Sequence, residues 1–231
     1  ILYLGKAIQT TVPPDGSVGT AKIANSAVDL TSKVTGVLPV ANGGTGQSTA
    51  LVTGSKVLIK TITISSDTAT VDFINGANGV VFDGTYDRYI FEATSARPVT
   101  NIQNVLVTVA TDATTFPTSN YLSVAHRVFT STSVIGNDQV GVTTSLTSLQ
   151  SMKASNDASH DGINLNLDFH RPNVSKKQIV GGSFSVYTDD GFVMGGTIGG
   201  SYQTAGAIVG FRFKFASGGV ASGIFKLYGV V

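Results

Sequence analysis

Residues 163–169 read INLNLDF, one apolar residue alternating with one polar residue along the whole segment. Successive side chains of a β-strand point to opposite faces of a sheet, so this period of two predicts a strand with one buried face. Strands of this half-buried kind are typical of antiparallel sheets. The predicted inward residues are Ile163, Leu165, Leu167 and Phe169, and the predicted outward residues are Asn164, Asn166 and Asp168.

The same alternation continues on both sides of this segment, through residues 56–231. Gly, Asn, Asp and Ser, which favour tight turns, separate the alternating runs. About ten short strands joined by turns predict an all-β fold, an antiparallel β-sandwich that is jelly-roll-like. The predicted strands cover residues 57–64, 69–74, 89–93, 104–110, 121–129, 163–169, 179–187, 192–198, 210–215 and 223–231.

One long segment, residues 131–162, interrupts the pattern of alternating strands. A connection of this length inside a compact domain indicates either a functional loop or an element that the pattern misses. Leu146, Leu149 and Met152 are spaced like the apolar face of one or two helical turns, so a short helix is expected there.

The composition indicates a folded protein with an unusual surface. Hydrophobic residues make up 42% of the 231 residues, and the mean hydropathy is +0.23, so the chain can form a sizeable core. Charged residues make up only 13%, about half the usual share. The surface must therefore consist largely of Ser, Thr, Asn and Gly, as is common in extracellular and virion proteins.

Charge and cysteine content exclude several classes of function. The formal net charge is +1 and no block of Lys and Arg occurs, so no nucleic-acid partner is expected. The absence of Cys excludes disulfides and zinc–thiolate sites. No run of about 18 apolar residues occurs, so no membrane insertion is expected.

Residues 1–55 have a different sequence pattern, with isolated apolar residues and no long alternating run. GSVGTAKIAN (16–25) and SAVDLTSKVTG (26–36) can be aligned as a weak repeat. Two interpretations stay open: a polar linker with a chance similarity, or an extended segment whose apolar residues pack against copies of itself. We assign residues 1–55 to a shaft or neck and residues 56–231 to a head.

GVLPVANGGTGQSTA, residues 36–50, closely resembles a segment that recurs in bacteriophage tail fibres, just before a C-terminal globular domain. Residues 207–231, which contain GIFKLYG, resemble the hairpin that closes such domains. The resemblance implies a homotrimeric receptor-binding protein on the virion, outside the cell, which attaches the phage to its host. Because the chain begins at Ile1 rather than Met, a preceding region is expected to join it to the rest of the tail.

In a homotrimer, residues 36–49 are expected to form the neck. Val37, Leu38 and Val40 would face the threefold axis, where three copies pack together. Pro39 suits an extended backbone without a hydrogen-bonded ladder, and the glycines that follow allow the chain to change direction. The segment carries no charge, so the axis brings no like charges together.

No catalytic site is expected. Sugar hydrolysis normally needs two carboxylates that face one cleft, and the close pairs here lie in Gly-rich turns, whose chemistry already explains them. These pairs are Asp83 with Asp87, Asp157 with Asp161, and Asp189 with Asp190. Two alternatives to a receptor-binding tail fibre stay open: a polysaccharide-degrading tailspike, and a structural capsid or head fibre.

The histidines predict neither a metal site nor a cofactor. His126 is expected on a strand face, and His160 and His170 are expected in exposed loops. No His-x-His pair and no G-x-S-x-G motif occurs. The segment NDASHDG lacks the closing acidic residue of a calcium loop.

A host cell-surface glycan is the expected ligand. Such ligands favour aromatic rings beside planar hydrogen-bonding groups, and an anionic polymer favours a basic loop such as HRPNVSKKQ (170–178). For each tyrosine, packing in the core or at the sandwich edge is the alternative. The predicted receptor-binding residues are Tyr121, Tyr187, Tyr202, His170, Arg171, Lys176 and Lys177.

Overall fold

The computed structural model describes residues 56–130, 135–147, 153–188 and 191–230, together with 15, 16 and 23; for residues 135–143 it describes the backbone alone. The chain divides into two compact units, Ile1–Leu51 and Val52–Val231, close to the predicted boundary after Ser55. The predicted neck residues Val37, Leu38 and Val40 lie outside the described residues, so their placement on a threefold axis stays a prediction.

The second unit is all-β, and no helix occurs among its described residues. Each predicted strand is present, although several extend further than the alternation indicated. The strands are β1 (Lys56–Ile64), β2 (Val71–Ile74), β3 (Arg88–Pro98), β4 (Gln103–Ala110), β5 (Tyr121–Phe129), β6 (Ile135–Thr143), β7 (Lys153–Ala154), β8 (Ile163–His170), β9 (Lys176–Tyr187), β10 (Val193–Gly206), β11 (Gly210–Phe215) and β12 (Val220–Val230).

The strands form two antiparallel sheets, as expected for a β-sandwich. The large sheet has eight strands in the order β1-β12-β3-β8-β9-β10-β5-β6, and the small sheet has four in the order β2-β11-β4-β7. In the large sheet β1 pairs with β12, so the first and last strands of the head are neighbours. The consecutive strands β8, β9 and β10 form a meander at its centre.

An aromatic cluster between the two sheets forms the centre of the core. Phe211 of the small sheet lies with its ring centroid 4.9 Å from that of Phe91 and 4.8 Å from that of Phe169, both in the large sheet. Phe73 stacks on the other side of Phe211, with a centroid distance of 5.2 Å. Burial of these large rings supplies much of the hydrophobic free energy that holds the two sheets together.

The predicted inward faces are confirmed. Phe211, Phe213 and Phe215 of β11 are buried, while the residues between them are partly exposed. The alternation of INLNLDF is fully reproduced in β8. The buried residues of β8 are Ile163, Leu165, Leu167 and Phe169, and the partly exposed ones are Asn164, Asn166 and Asp168.

Segment 131–162 contains elements that the alternation misses. β6 pairs with β5 at the edge of the large sheet, and β7 pairs with β4. The expected short helix is wrong for Leu146, which is buried in a turn and donates its N–H to the carbonyl oxygen of Val107 at 2.8 Å. Leu149 and Met152, the other two residues of that prediction, lie outside the described residues. The Thr147 hydroxyl donates to the Val105 carbonyl and accepts from the Val107 N–H. These tertiary hydrogen bonds override the local helical spacing.

The register of the large sheet defines two ends. At one end, which we call the Lys56 end, lie Lys56, Arg88, His170 and Lys176. At the opposite end, which we call the Tyr187 end, lie Ile163, Tyr187 and Val193. Because β9 has 12 residues, its two ends are separated by roughly 37 Å at about 3.4 Å per residue.

Candidate functional site

The outer face of the large sheet carries the candidate site. The inner face packs against the small sheet through the phenylalanine cluster, so the alternate residues of β3, β8 and β9 point outward. The register aligns Glu92, Asn166 and Ser183 in one row across these three strands. Asn164 and Ser185 are paired in the next row. Polar side chains that are distant in sequence therefore meet at the centre of the sheet.

Two adjoining cavities lie on this face. The first has a volume of about 390 Å³ and is lined by side chains of β3, β8 and β9. The second has a volume of about 140 Å³ and shares Asn164 and Ser185 with the first. We call the two together the amide groove. It is defined by Glu92, Thr94, Asn164, Asn166, Ser183 and Ser185 in the first cavity, and by Asp161, Tyr187 and Val193 in the second.

Part of the groove's polar lining is already engaged by the protein. Glu92 forms an ion pair with Lys56. The Asn164 side-chain oxygen accepts from the Ser95 N–H at 3.0 Å, where β3 bulges and Ser95 has a φ of 51°. This bond holds Asn164 in place at the junction of the two cavities.

The other polar groups of the groove are available to a ligand. No hydrogen bond within the described residues engages the side chains of Asn166, Ser183 or Ser185. Ser183 and Ser185 are exposed, and Asn166 is half-buried. An amide and a hydroxyl can each both donate and accept a hydrogen bond, so these three groups offer both functions side by side.

An aromatic pair stands at the Tyr187 end of the groove. His160 stacks on Tyr187 with a ring-centroid distance of 3.8 Å and an interplanar angle of 29°. The turn that carries His160 is held by Asp157, whose carboxylate accepts from the N–H and hydroxyl of Ser159, both at 2.8 Å. The stack fixes the orientation of Tyr187, a predicted receptor-binding residue that lines the second cavity. His160, which was expected to be exposed, is half-buried instead.

The predicted basic residues cluster at the opposite end of the large sheet. His170, Arg171, Lys176 and Lys177 are all exposed at the Lys56 end. The Arg171 Nε lies 3.8 Å from the Asp87 carboxylate, and the Arg171 N–H donates to the Asp87 carbonyl at 2.8 Å. The structure therefore brings these four residues together but separates them from Tyr187 by the length of β9.

Tyr121 and Tyr202 lie in the core, which corrects their prediction as receptor-binding residues. Their relative exposures are 0% and 5%, and their ring centroids are 5.0 Å apart. The Tyr121 hydroxyl donates to the Pro117 carbonyl and accepts from the Val109 N–H, and burial raises its pKa well above the usual value. The period of two places Tyr121 on the inward face of β5, so its ring offers no surface to a ligand.

In the two predicted carboxylate pairs that the structure describes, the first carboxylate holds its own turn. Asp83 accepts from the hydroxyl and the N–H of Thr85, and these bonds lower the pKa of its carboxyl group. The N–H and hydroxyl of Ser159 likewise lower the pKa of Asp157. A general acid needs a raised pKa, so neither carboxyl is suited to that role. Asp189 and Asp190 lie outside the described residues.

A third cavity, of about 340 Å³, lies beside β1 and β2. Its charged groups are already engaged, because Lys60 donates to the Asn78 carbonyl at 2.8 Å and Arg212 binds the Asp72 carboxylate at 2.7 and 2.8 Å. Among the described residues, no group of three or more His, Asp or Glu side chains is placed to hold a metal ion. The part of the chain that the structure describes contains no helix capable of crossing a membrane.

Most of the amide groove was not predicted as a binding site. The alternation of β8 placed Asn164 and Asn166 on the outward face, but nothing in the sequence showed which strands would lie beside them. Glu92 is distinctive as the only Glu of the chain. The pairing of β3 with β8 and of β8 with β9 is what joins these residues.

The chain was compared with protein-family models, with curated proteins and with solved structures. None of the three comparisons found a match.

Proposed function

We propose that this chain is the tip of a bacteriophage tail fibre, which recognises a host cell-surface glycan and attaches the virion to it without catalysis. The amide groove is the observation that carries the proposal. It is open, lies on a rigid sheet, and presents hydrogen-bonding groups that the protein leaves unused. The tail-fibre motif in residues 36–50 supports the same function.

The shape of the groove suits a polymer better than a small cofactor. Small-molecule sites are concave and largely apolar, and they enclose most of their ligand. The amide groove lies instead across the exposed face of three strands, and the amides and hydroxyls of five side chains line its first cavity beside the apolar residues Ala93, Leu165 and Phe184. A hydroxyl-rich chain can lie along such a surface and exchange hydrogen bonds with it.

The engaged carboxylates support binding rather than cleavage. Glu92, in the first cavity, is neutralised by Lys56. Asp161 lines the second cavity, and Asp157 serves its own turn. Glu92 and Asp161 line different cavities of the groove, and the pairing of Glu92 with Lys56 favours binding over a polysaccharide-degrading tailspike.

The proposed particle is a homotrimer with an extended neck over residues 1–55 and a jelly-roll-like head over residues 56–231. Three heads would present three amide grooves and three basic loops. Each basic loop consists of residues 171–175 and the adjoining Lys176 and Lys177. A repetitive cell surface can engage several copies at once, so weak individual contacts gain by multivalency.

The proposal is tested by adsorption of the fluorescently labelled full chain to a panel of bacterial strains. Retention on a subset of strains, abolished when their surface polysaccharide is stripped, is the expected result. Retention on no strain would contradict receptor binding. New reducing ends released from purified polysaccharide would instead identify a polysaccharide-degrading tailspike, and antibody labelling of the capsid in electron micrographs would identify a capsid fibre.

A further inference from the structure

We infer that the amide groove binds a neutral oligosaccharide rather than an anionic polymer. This inference rests on the proposed glycan recognition and names its ligand class and its subsite. It differs from the expectation drawn from the basic loop at the Lys56 end, which favoured an anionic ligand.

The charges of the groove are the first reason. Of the described residues, those that line its two cavities include Glu92 and Asp161 but no Lys, Arg or His. The Lys56 ammonium group is committed to Glu92 and lies 3.8 Å from the centroid of the Tyr228 ring. An anionic ligand would therefore meet two carboxylates and no cationic side chain in the lining of the groove, whereas a neutral ligand meets no electrostatic penalty.

Two neighbouring cations lie outside this lining. Lys226 of β12 lies opposite Glu92, and the Arg97 Nε donates to the Ser222 hydroxyl oxygen at 3.0 Å. Asp168, which lies on the same face of β8, is paired with the Arg88 Nε at 2.8 Å. The exposed cations Arg171, Lys176 and Lys177 lie at the Lys56 end, whereas the second cavity lies at the Tyr187 end. A ligand seated in the second cavity is thus remote from the basic loop.

The unused hydrogen-bonding groups are the second reason. Asn166, Ser183 and Ser185 lie on two adjacent strands, with Asn166 directly opposite Ser183. A sugar hydroxyl both donates and accepts, so it can pair with an amide and a serine hydroxyl at once. A surface of this kind discriminates by hydrogen bonds, because a ligand without matching groups leaves it unsatisfied.

The apolar end of the groove is the third reason. A sugar ring has an apolar face of C–H groups, and Tyr187 and Val193 provide apolar surface at the end of the second cavity. Since His160 already stacks on Tyr187, the ring loses little freedom when a ligand packs beside it. The groove therefore combines polar contacts with an ordered aromatic side chain, as a saccharide requires.

The test uses immobilised neutral oligosaccharides and, in parallel, oligosaccharides that carry uronic or sialic acids. Ser185→Phe should fill the junction of both cavities, and Asn166→Ala removes an amide that makes no hydrogen bond within the protein. Thr63→Phe is the matched control, because Thr63 is exposed on β1 of the same sheet. The full chain should bind neutral oligosaccharides, with binding about tenfold weaker in each groove variant and unchanged in the control.

Other outcomes overturn the inference. They are binding of the full chain to acidic oligosaccharides alone, binding to no oligosaccharide, and undiminished binding by a Ser185→Phe chain with an unchanged melting temperature. The double variant Arg171→Ala plus Lys176→Ala should bind neutral oligosaccharides as the wild type does. If this variant loses binding, the binding site is the basic loop rather than the amide groove. Adsorption to bacterial strains distinguishes the two proposals. If the Ser185→Phe chain is still retained on the strains, the chain binds a receptor, but the amide groove is not the binding site.

Discussion

Single side chains of this protein divide into those that hold the two sheets together and those that the fold leaves available. Phe211 is fully buried, and its ring contacts four other aromatic rings from both sheets. Asn166 and Ser183, by contrast, lie on the outer face without hydrogen-bond partners among the described residues. The first kind determines stability, and the second kind is free to determine recognition.

Phe211→Ala is expected to lower the free energy of unfolding by about 3–5 kcal/mol, because the deletion leaves a cavity between the sheets. Phe192→Ala is the matched control, since Phe192 is 39% exposed in a connection, and its cost should stay near 0.5 kcal/mol. Chemical denaturation measures both. Equal losses in the two variants would contradict the central position of Phe211.

Asp112 gives a prediction for acid stability. Its carboxylate accepts from the N–H groups of Thr114 and Thr115, both at 2.8 Å, which lower its pKa from 3.8 to about 2. A group with a lowered folded-state pKa contributes stability above its unfolded pKa of 3.8, and that contribution is lost as the pH falls toward 2. The melting temperature of Asp112→Asn should therefore fall less steeply between about pH 4 and pH 2 than that of the wild type. Identical slopes would show that these bonds do not affect folding.

The pairing of strands determines how much space each side chain has, as two adjacent glycines at the centre of the large sheet show. An ideal Cβ added at Gly182 of β9 would lie 1.9 Å from the Asn166 carbonyl oxygen, so no side chain fits unless β8 or β9 moves. At the adjacent Gly181, an added Cβ meets nothing within 4 Å. The glycine at 182 therefore permits the close approach of β8 and β9 at the centre of the large sheet.

Gly182→Ala should destabilise the head by about 1–3 kcal/mol through overpacking. Gly181→Ala should stabilise it by about 0.5 kcal/mol, because alanine loses less conformational freedom than glycine when a strand forms. The two variants differ by one position in the same strand, so denaturation curves compare them directly. Destabilisation of the same size in both would indicate a general intolerance of β9 rather than a steric contact at Gly182.

The sequence of residues 1–55 differs from that of the head, because its apolar residues are isolated and follow no alternating pattern. If a single head bound the receptor as a monomer, the uncharged apolar segment 36–49 would have no partner to pack against. A homotrimer gives it one, because a chain of isolated apolar residues becomes buried when copies pack about an axis.

Light scattering of the purified chain should give about three times its mass of 23.8 kDa. The expected assembly follows from the apolar residues of 1–55, which we expect to pack between chains. A mass of one chain at micromolar concentration would contradict the trimer and, with it, the multivalent part of the proposed function.

Leu38→Asp should lower the thermal stability of that trimer strongly, since the substitution would place three carboxylates together on the axis at several kcal/mol for each buried charge. Thr49→Asp adds the same charge outside the apolar run and should change the melting temperature little. Coincident melting curves for the two variants would contradict the axial position of Leu38.

The alternation along the sequence was sufficient to predict ten of the twelve described strands, together with the buried face of strands such as β8. Ile163, Leu167 and Phe213 are inside because a strand's covalent geometry sends successive side chains to opposite faces, whatever the neighbouring strand is. These features are local, so the sequence contains them.

The neighbours of each strand depend on long-range pairing, and only the folded chain shows them. β6 and the turn at Leu146 were missed because hydrogen bonds to β5 and β4 define them, with no strong pattern of their own. The amide groove likewise exists because β3, β8 and β9 are adjacent in a register that aligns Glu92, Asn166 and Ser183. Local alternation determined which residues face outward, and the pairing of distant strands determined which outward residues meet, because hydrogen-bonded register is a property of two strands rather than of one.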